Sequence, residues 1–396
     1  MSQVVPGLER WLQGGPATCG LRAGARLAVL CHAASVDRRA RHLVLRLAED
    51  SSYRLVRLFA PEHGLWGHEQ DMEAVQEVVD PWTGLPVVSL YGRDRDSLRP
   101  RAEQLGELDA IVVDLQDVGS RYYTFVYTMA YVMEAAADAG LPVVVLDRPN
   151  PIDGLTLEGP MLDPTLASFV GRFALPVRHG MTIGELARFF AGELGISCDL
   201  RVVPLEGWER RSEFRSTALP WVPPSPNMPT PETARVYPGG CLVEGTNLSE
   251  GRGTTTPFEL VGAPWLDGRE LARRMERERL PGVLFRPASF RPMFQKHSGR
   301  GCGGVQVIVT DAATFKPFAT YMALLREART LDPESFAWRT DVYEFETERP
   351  AIDYLLGRDG LRERLERGDA LADLERGFEA GLADFAERRR GYLLYD

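Results

Sequence analysis

The stretch AIVVDLQDVGSRYYTFVYTMAYVMEAAADAGLPVVVL, residues 110–146, reads as a strand, a helix and a second strand. Ala110–Asp114 and Pro142–Leu146 are rich in Val, Ile and Leu without polar alternation, the pattern of strands covered on both faces of a parallel sheet. Thr124–Ala139 between them reads as a helix. Working outward, Arg26–Cys31 (RLAVLC), Tyr53–Phe59 (YRLVRLF) and Pro86–Leu90 (PVVSL) repeat the strand pattern, with helix-like segments at Arg38–Glu49 and about Leu98–Leu108. Thr182–Leu194 opens on a capping box, Thr182 with Glu185, and a strand over Asp199–Pro204 follows. Alternating β and α elements imply right-handed crossovers and a doubly wound α/β sheet.

The run WVPPSPNMPTPE (Trp221–Glu232) is too dense in proline for a helix interior or a central strand. It reads as a rigid connector or cleft wall, and places a domain boundary after it: 1–232 and 233–396. The second part combines a Gly/Thr-rich loop (Gly239–Thr256) with a strand at Val305–Val309 and helices near Gly268–Glu278 and Pro317–Thr330. Two or three helices are expected from Pro350 onward. A length of 396 residues also suits two domains better than one core.

Apolar residues make up 44% and charged residues 26%, which excludes a disordered, collagenous or coiled-coil chain. The net charge of −10 disfavours nucleic acid and anionic membranes as partners. Five scattered cysteines without a C-x-x-C pair argue against a disulfide framework or structural zinc. No apolar run approaches a membrane span, so no membrane insertion is expected. The first twenty residues lack the basic start and hydrophobic core of a secretory signal, so a cytoplasmic location is expected.

Five N-terminal strands each end in a polar loop, and such loops gather along one edge of an open parallel sheet, where ligands bind. In APEHGLWGHE (Ala60–Glu69), Glu62 sits beside His63 and near Trp66, an apolar setting that favours the neutral carboxyl a general acid needs. It could equally cap the next helix. Asp114 either binds a sugar hydroxyl, orients His63 or carries a proton, or it forms an Asx-turn or helix cap. Arg121 with Tyr122 and Tyr123 suits a carboxylate carried on a ring, or begins the next helix and packs inside. Asn150 lies in a turn stiffened by Pro149 and Pro151, and Asn227 is presented among prolines. Glu244, Asn247, Glu250 and Arg252 punctuate a loop that lacks any P-loop pattern, and no G-x-G-x-x-G follows the first strand, so no nucleotide cofactor is expected. The spacing of Glu62, His63, His68 and Glu69 matches no zinc-helix pattern, so no metal is expected.

Taken together, FAPEHGLWG, DLQDVGSRYYTF, DRPNPIDG, PSPNMPT and VEGTNLSEGRGTTTPFELVGAPW resemble the NamZ family, exo-acting β-N-acetylmuramidases of glycoside hydrolase family 171, formerly a domain of unknown function. The resemblance runs from about Gly24 to the terminal GYLLYD. It implies a Rossmann-like sheet domain, a smaller α+β domain, a cleft between them, and release of N-acetylmuramic acid from the non-reducing end of peptidoglycan fragments without metal or nucleotide. In that setting Glu62 suits the acid of the E-H-G motif and His63 a group that orients it. Arg252 or Arg121 suits the lactyl carboxylate. Asp114 and Glu244 are candidates for the second catalytic group, and the substrate's 2-acetamido group is a third. The expected partner is a small saccharide or muropeptide containing N-acetylmuramic acid. Two rival classes stay open: a metal-dependent amidase or esterase built on Glu62, His63 and His68, and a non-catalytic muropeptide-binding protein.

Overall fold

The computed structural model describes residues 3–396. Its larger sheet has seven strands: β1 (Ala25–Cys31), β2 (Tyr53–Ala60), β3 (Val78–Val79), β4 (Pro86–Ser89), β5 (Ala110–Asp114), β6 (Pro142–Leu146) and β7 (Asp199–Val203). They lie in the order β3-β4-β2-β1-β5-β6-β7, and only β3 runs antiparallel to its neighbour. Apart from that short edge strand, the order is that of a Rossmann sheet, with its switch point between β1 and β5. The unbroken apolar runs are explained by burial on both faces. Leu27, Val29, Val112 and Val144 enter one apolar cluster, while Ala28, Leu30, Ile111 and Val143 enter another. Helices α1 (Gly7–Gly14) and α2 (Leu43–Ala48) supply Leu8, Trp11, Leu43 and Leu47 to the first. After the short α3 (Ala102–Leu105), helices α4 (Phe125–Ala139) and α5 (Ile183–Glu193) cover the other face.

Two expected helices are shorter than their patterns. Asp37 accepts the backbone N–H groups of Arg39 and Arg41 at 2.9 and 3.0 Å, and Ala40 takes φ 57°, so a turn replaces the first turn of the Arg38–Glu49 helix. Pro100 interrupts Leu98–Leu108, with Arg99 before it extended at φ −120°, ψ 135°.

The second half carries an antiparallel sheet, β8 (Leu260–Ala263), β9 (Val283–Phe290) and β10 (Cys302–Val309), ordered β8-β10-β9. Helices α6 (Pro231–Gly240), α7 (Gly268–Arg277) and α8 (Pro317–Leu331) pack with it. The loop expected from Gly239 therefore begins later. Pro231 sits in the first turn of α6, where its missing N–H costs nothing, and Thr230 accepts the N–H of Thr233 at 3.1 Å. Gly239 lets α6 meet α8 closely, since a Cβ there would stand 2.1 Å from the Pro317 carbonyl oxygen. Four short helices close the chain rather than two or three: α9 (Ala351–Leu356), α10 (Leu361–Glu366), α11 (Leu371–Arg376) and α12 (Glu379–Arg389). The terminal segment then returns to the first half, where Tyr395 Oη donates to Asp147 Oδ2 at 2.5 Å and the Leu394 N–H to Glu185 Oε1 at 2.8 Å. The main apolar cluster runs through both halves. Among the described residues no helix is long and apolar enough to cross a membrane.

Candidate active site

Beyond the carboxyl ends of β2 and β5, either side of β1, lies a narrow cleft open to solvent. Glu62 and His63 line it from the turn after β2, and Tyr122, Tyr123 and Thr124 from the turn before α4. Thr124 occupies the N-cap position of α4, yet its side chain caps no helix N–H. Its hydroxyl donates instead to Glu62 Oε2 at 2.8 Å. His63 adopts a left-handed backbone, φ 69°, and its Nδ1 donates to the Glu69 carbonyl at 2.9 Å. That bond leaves Nε2 as the ring's free nitrogen.

The proline-rich run forms a wall through Ser225, Asn227 and Met228. It is tied to β1 by His32, whose Nε2 accepts the Gln116 N–H at 2.9 Å while Nδ1 donates to the Pro224 carbonyl at 3.2 Å. Burial, then the Arg148 charge, push this imidazole well below its usual range, which keeps it neutral and able to do both. Asn227 Nδ2 donates to Gln70 Oε1 at 2.8 Å. The Tyr122 and Tyr123 hydroxyls, from the turn before α4, are both buried with no hydrogen-bond partner.

Glu244, Arg252, Tyr343 and Glu344 close the cleft from the second half. Arg252 is caged by Asp71 at 2.6 Å, Glu244 at 2.5 Å and Glu250 at 3.3 Å, over the Phe258 ring. Tyr343 Oη donates to the other Glu244 oxygen at 2.8 Å. Burial pushes the Glu244 carboxyl up, against the pull of Arg252. Burial works the same way on Glu250, but Lys296 at 2.9 Å and Arg252 outweigh it and hold that carboxyl below its usual range. Lys296, one of two lysines in the chain, also donates to the Val243 and Leu248 carbonyls at 3.0 Å each.

Of the residues singled out from sequence, Glu62, His63, Tyr122, Tyr123, Asn227, Glu244 and Arg252 meet in this cleft. Four others point elsewhere. Arg121 is fully buried and donates to the carbonyls of Pro160 at 3.1 Å and Leu355 at 2.7 Å, so its charge is absorbed by backbone dipoles. Asp114 forms a two-pronged buried pair with Arg148 at 2.5 and 2.8 Å. Asn150 holds its own turn, accepting the Ile152 N–H and donating to the Met181 carbonyl. Asn247 bonds the backbone of Ser335 and Ala337. Asp71, Thr124, Ser225, Tyr237, Tyr343 and Glu344 line the cleft without having been singled out. Thr124 directly follows the flagged tyrosines, and Asp71 lies two residues beyond the flagged run, whereas nothing local marks Glu344. His68 faces an adjoining cavity with Trp66 and Glu69. Among the described residues no three His, Cys, Asp or Glu side chains converge as a metal site, the Glu62, His63 and His68 set included.

Two family models match the chain, described as exo-beta-N-acetylmuramidase NamZ, N-terminal, over residues 27–232 and the same enzyme, C-terminal, over residues 235–395. The peptidoglycan beta-N-acetylmuramidase NamZ of Bacillus subtilis (strain 168) is 44% identical over 372 residues, 94% of this chain and 87% of that protein. Among solved structures, a DUF1343 family protein of Bacteroides fragilis NCTC 9343 (BF0371) superposes with a TM-score of 0.87 at 31% identity, covering 100% of this chain and 99% of that one. A second from the same source (BF0379) gives 0.75 at 27% identity with the same coverage.

Proposed function

The chain belongs to the exo-beta-N-acetylmuramidase NamZ family, and from that premise we propose that it is a glycosidase releasing N-acetylmuramic acid from the non-reducing end of peptidoglycan fragments such as MurNAc-GlcNAc. The observation that carries this is a buried Glu62 at the cleft wall, held by a threonine hydroxyl and by no cation among the described residues. A carboxyl so placed is suited to protonating a glycosidic oxygen. His63 positions it from the adjoining turn. Arg252, the one arginine lining the cleft among the described residues, takes the lactyl carboxylate with the N–H donors that Asp71 and Glu244 leave free, assisted by Asn227. Tyr123 adds aromatic wall to the sugar subsite. Asp114, Arg121, Asn150 and Asn247 support the frame rather than the ligand. The cleft lies between functional units 1–232 and 233–396, each contributing one wall. The substrate is a small carbohydrate, and neither nucleic acid nor membrane takes part. Glu62→Gln is expected to lose at least 100-fold in kcat while still binding free N-acetylmuramic acid. Near-wild-type turnover in that variant contradicts the assignment.

A further inference from the structure

Four carboxyls face the cleft, and they divide by their partners. Asp71 and Glu244 are both paired with Arg252, at 2.6 and 2.5 Å. Glu62 and Glu344 touch no cation among the described residues. One hydroxyl serves each: Thr124 Oγ1 donates to Glu62 at 2.8 Å, and Tyr91 Oη donates to Glu344 at 2.8 Å.

Glu344 is held in place by an unusual turn. The backbones of Tyr343 and Glu346 bond each other in both directions, at 3.0 and 2.8 Å, and the two central residues have φ 47° (Glu344) and 70° (Phe345). Two consecutive positive φ values mark a type I′ turn, whose usual occupants are Asn and Gly. Glu and Phe keep this geometry only because the surroundings impose it, and strain of this kind gathers at functional sites. The surroundings are visible. The Phe345 ring lies 5.6 Å from Tyr91 and 5.9 Å from Phe169, and Glu346 pairs with Arg95. A turn from the second half is thus fixed to the loop after β4, with its glutamate presented in the cleft.

We propose that Glu344 is the second reacting carboxyl and works with Glu62 as a pair that holds one proton. Two like charges facing one cleft disfavour double ionisation, and the proton belongs to the pair rather than to one member. Burial and then the Glu62 charge push the Glu344 carboxyl well above its usual range, in keeping with this. The protonated member gives its hydrogen to the glycosidic oxygen as the C1–O bond breaks and the bonding electrons move to that oxygen. Water then bonds C1 through its oxygen and yields one hydrogen to the ionised member. The pair starts and ends with one proton, and the sum is glycoside plus water giving two hydroxyl compounds.

This inference rests on the glycosidase reading above. The test is kcat and KM against pH on MurNAc-GlcNAc for the wild type, Glu344→Gln and Glu344→Asp, with binding of free N-acetylmuramic acid to establish folding. Wild type should give a bell-shaped profile, because the singly protonated pair is the active form. Glu344→Gln should lose one limb of the bell and about 100-fold in kcat, with KM changed by less than about threefold. Glu344→Asp retracts the carboxyl but keeps it, so it should retain a bell at a kcat at least about tenfold lower; it also decides the matter should the Gln variant fail to fold. An active wild type with an unaltered bell and near-normal kcat in either variant overturns the proposal alone. A wild type that releases no N-acetylmuramic acid overturns the glycosidase reading, and this proposal with it.

Discussion

Replacing Arg252 by Met removes the cation at the centre of the cage while nearly conserving its volume. Asp71 and Glu244, now 2.6 and 2.5 Å from the guanidinium, would lose their counter-charge, and Glu250 would keep Lys296 at 2.9 Å. Arg252 and Glu244 are both buried, so water cannot replace the lost partner. Breaking a buried pair by removing one member costs about 3–5 kcal/mol, mainly through the charge left behind. That is a large part of the ~5–15 kcal/mol that holds a domain together. Burial already pushes the Glu244 carboxyl up, so it can take a proton in the variant, and the loss should shrink as pH falls. The assay is urea unfolding of the wild type, Arg252→Met, Glu244→Gln and the double variant. Arg252→Met should lose about 3–5 kcal/mol at neutral pH, and the double variant should recover roughly 1–3 kcal/mol of it, since one orphaned charge is gone. A loss below about 1 kcal/mol, or no recovery in the double variant, refutes the cage.

Two further outcomes follow from particular bonds. Because the Thr124 hydroxyl serves Glu62 and not the helix, Thr124→Val should leave the melting temperature nearly unchanged while kcat/KM falls about tenfold, the worth of one hydrogen bond; a melting loss without a kinetic one contradicts that division of labour. Burial holds the carboxyls of Asp147 and Glu158 up to about 7. The folded chain thus binds these protons more tightly than the unfolded chain, whose carboxyls titrate near 4. The stability they contribute is fully present below about pH 4 and is lost as pH rises to about 7, on the order of a few kcal/mol. Asp147→Asn removes one of the two titrations, so its urea midpoint should fall less than the wild type's between about pH 5 and 7.5; equal falls contradict the shift.

The sheet was readable because its signal is local. AIVVD and PVVVL are strands at the residues their composition marks, and the Thr182–Glu185 capping box opens α5. Helix lengths were not, where a side-chain turn at Asp37 or a proline at 100 overrides an amphipathic pattern. The same limit governs the site. Glu62 and His63 directly follow β2, and Tyr122 and Tyr123 lie in the connection from β5 to α4, so topology alone brings them to one edge of the sheet. Arg121 stands beside those tyrosines in sequence, yet its guanidinium is claimed by the Leu355 carbonyl, 234 residues away, which no local pattern announces. Glu344 lies in an aperiodic segment between α8 and α9, in a turn whose residues argue against its own conformation. Its place depends on Tyr91 and Phe169 from the other half of the chain.

Incubation of the protein with MurNAc-GlcNAc, followed by chromatographic detection of the free sugars, tests the central claim most directly. The account predicts stoichiometric release of N-acetylmuramic acid and N-acetylglucosamine by the wild type, and release at least about 100-fold slower by Glu62→Gln. Tight binding of the disaccharide with no free N-acetylmuramic acid released would contradict it.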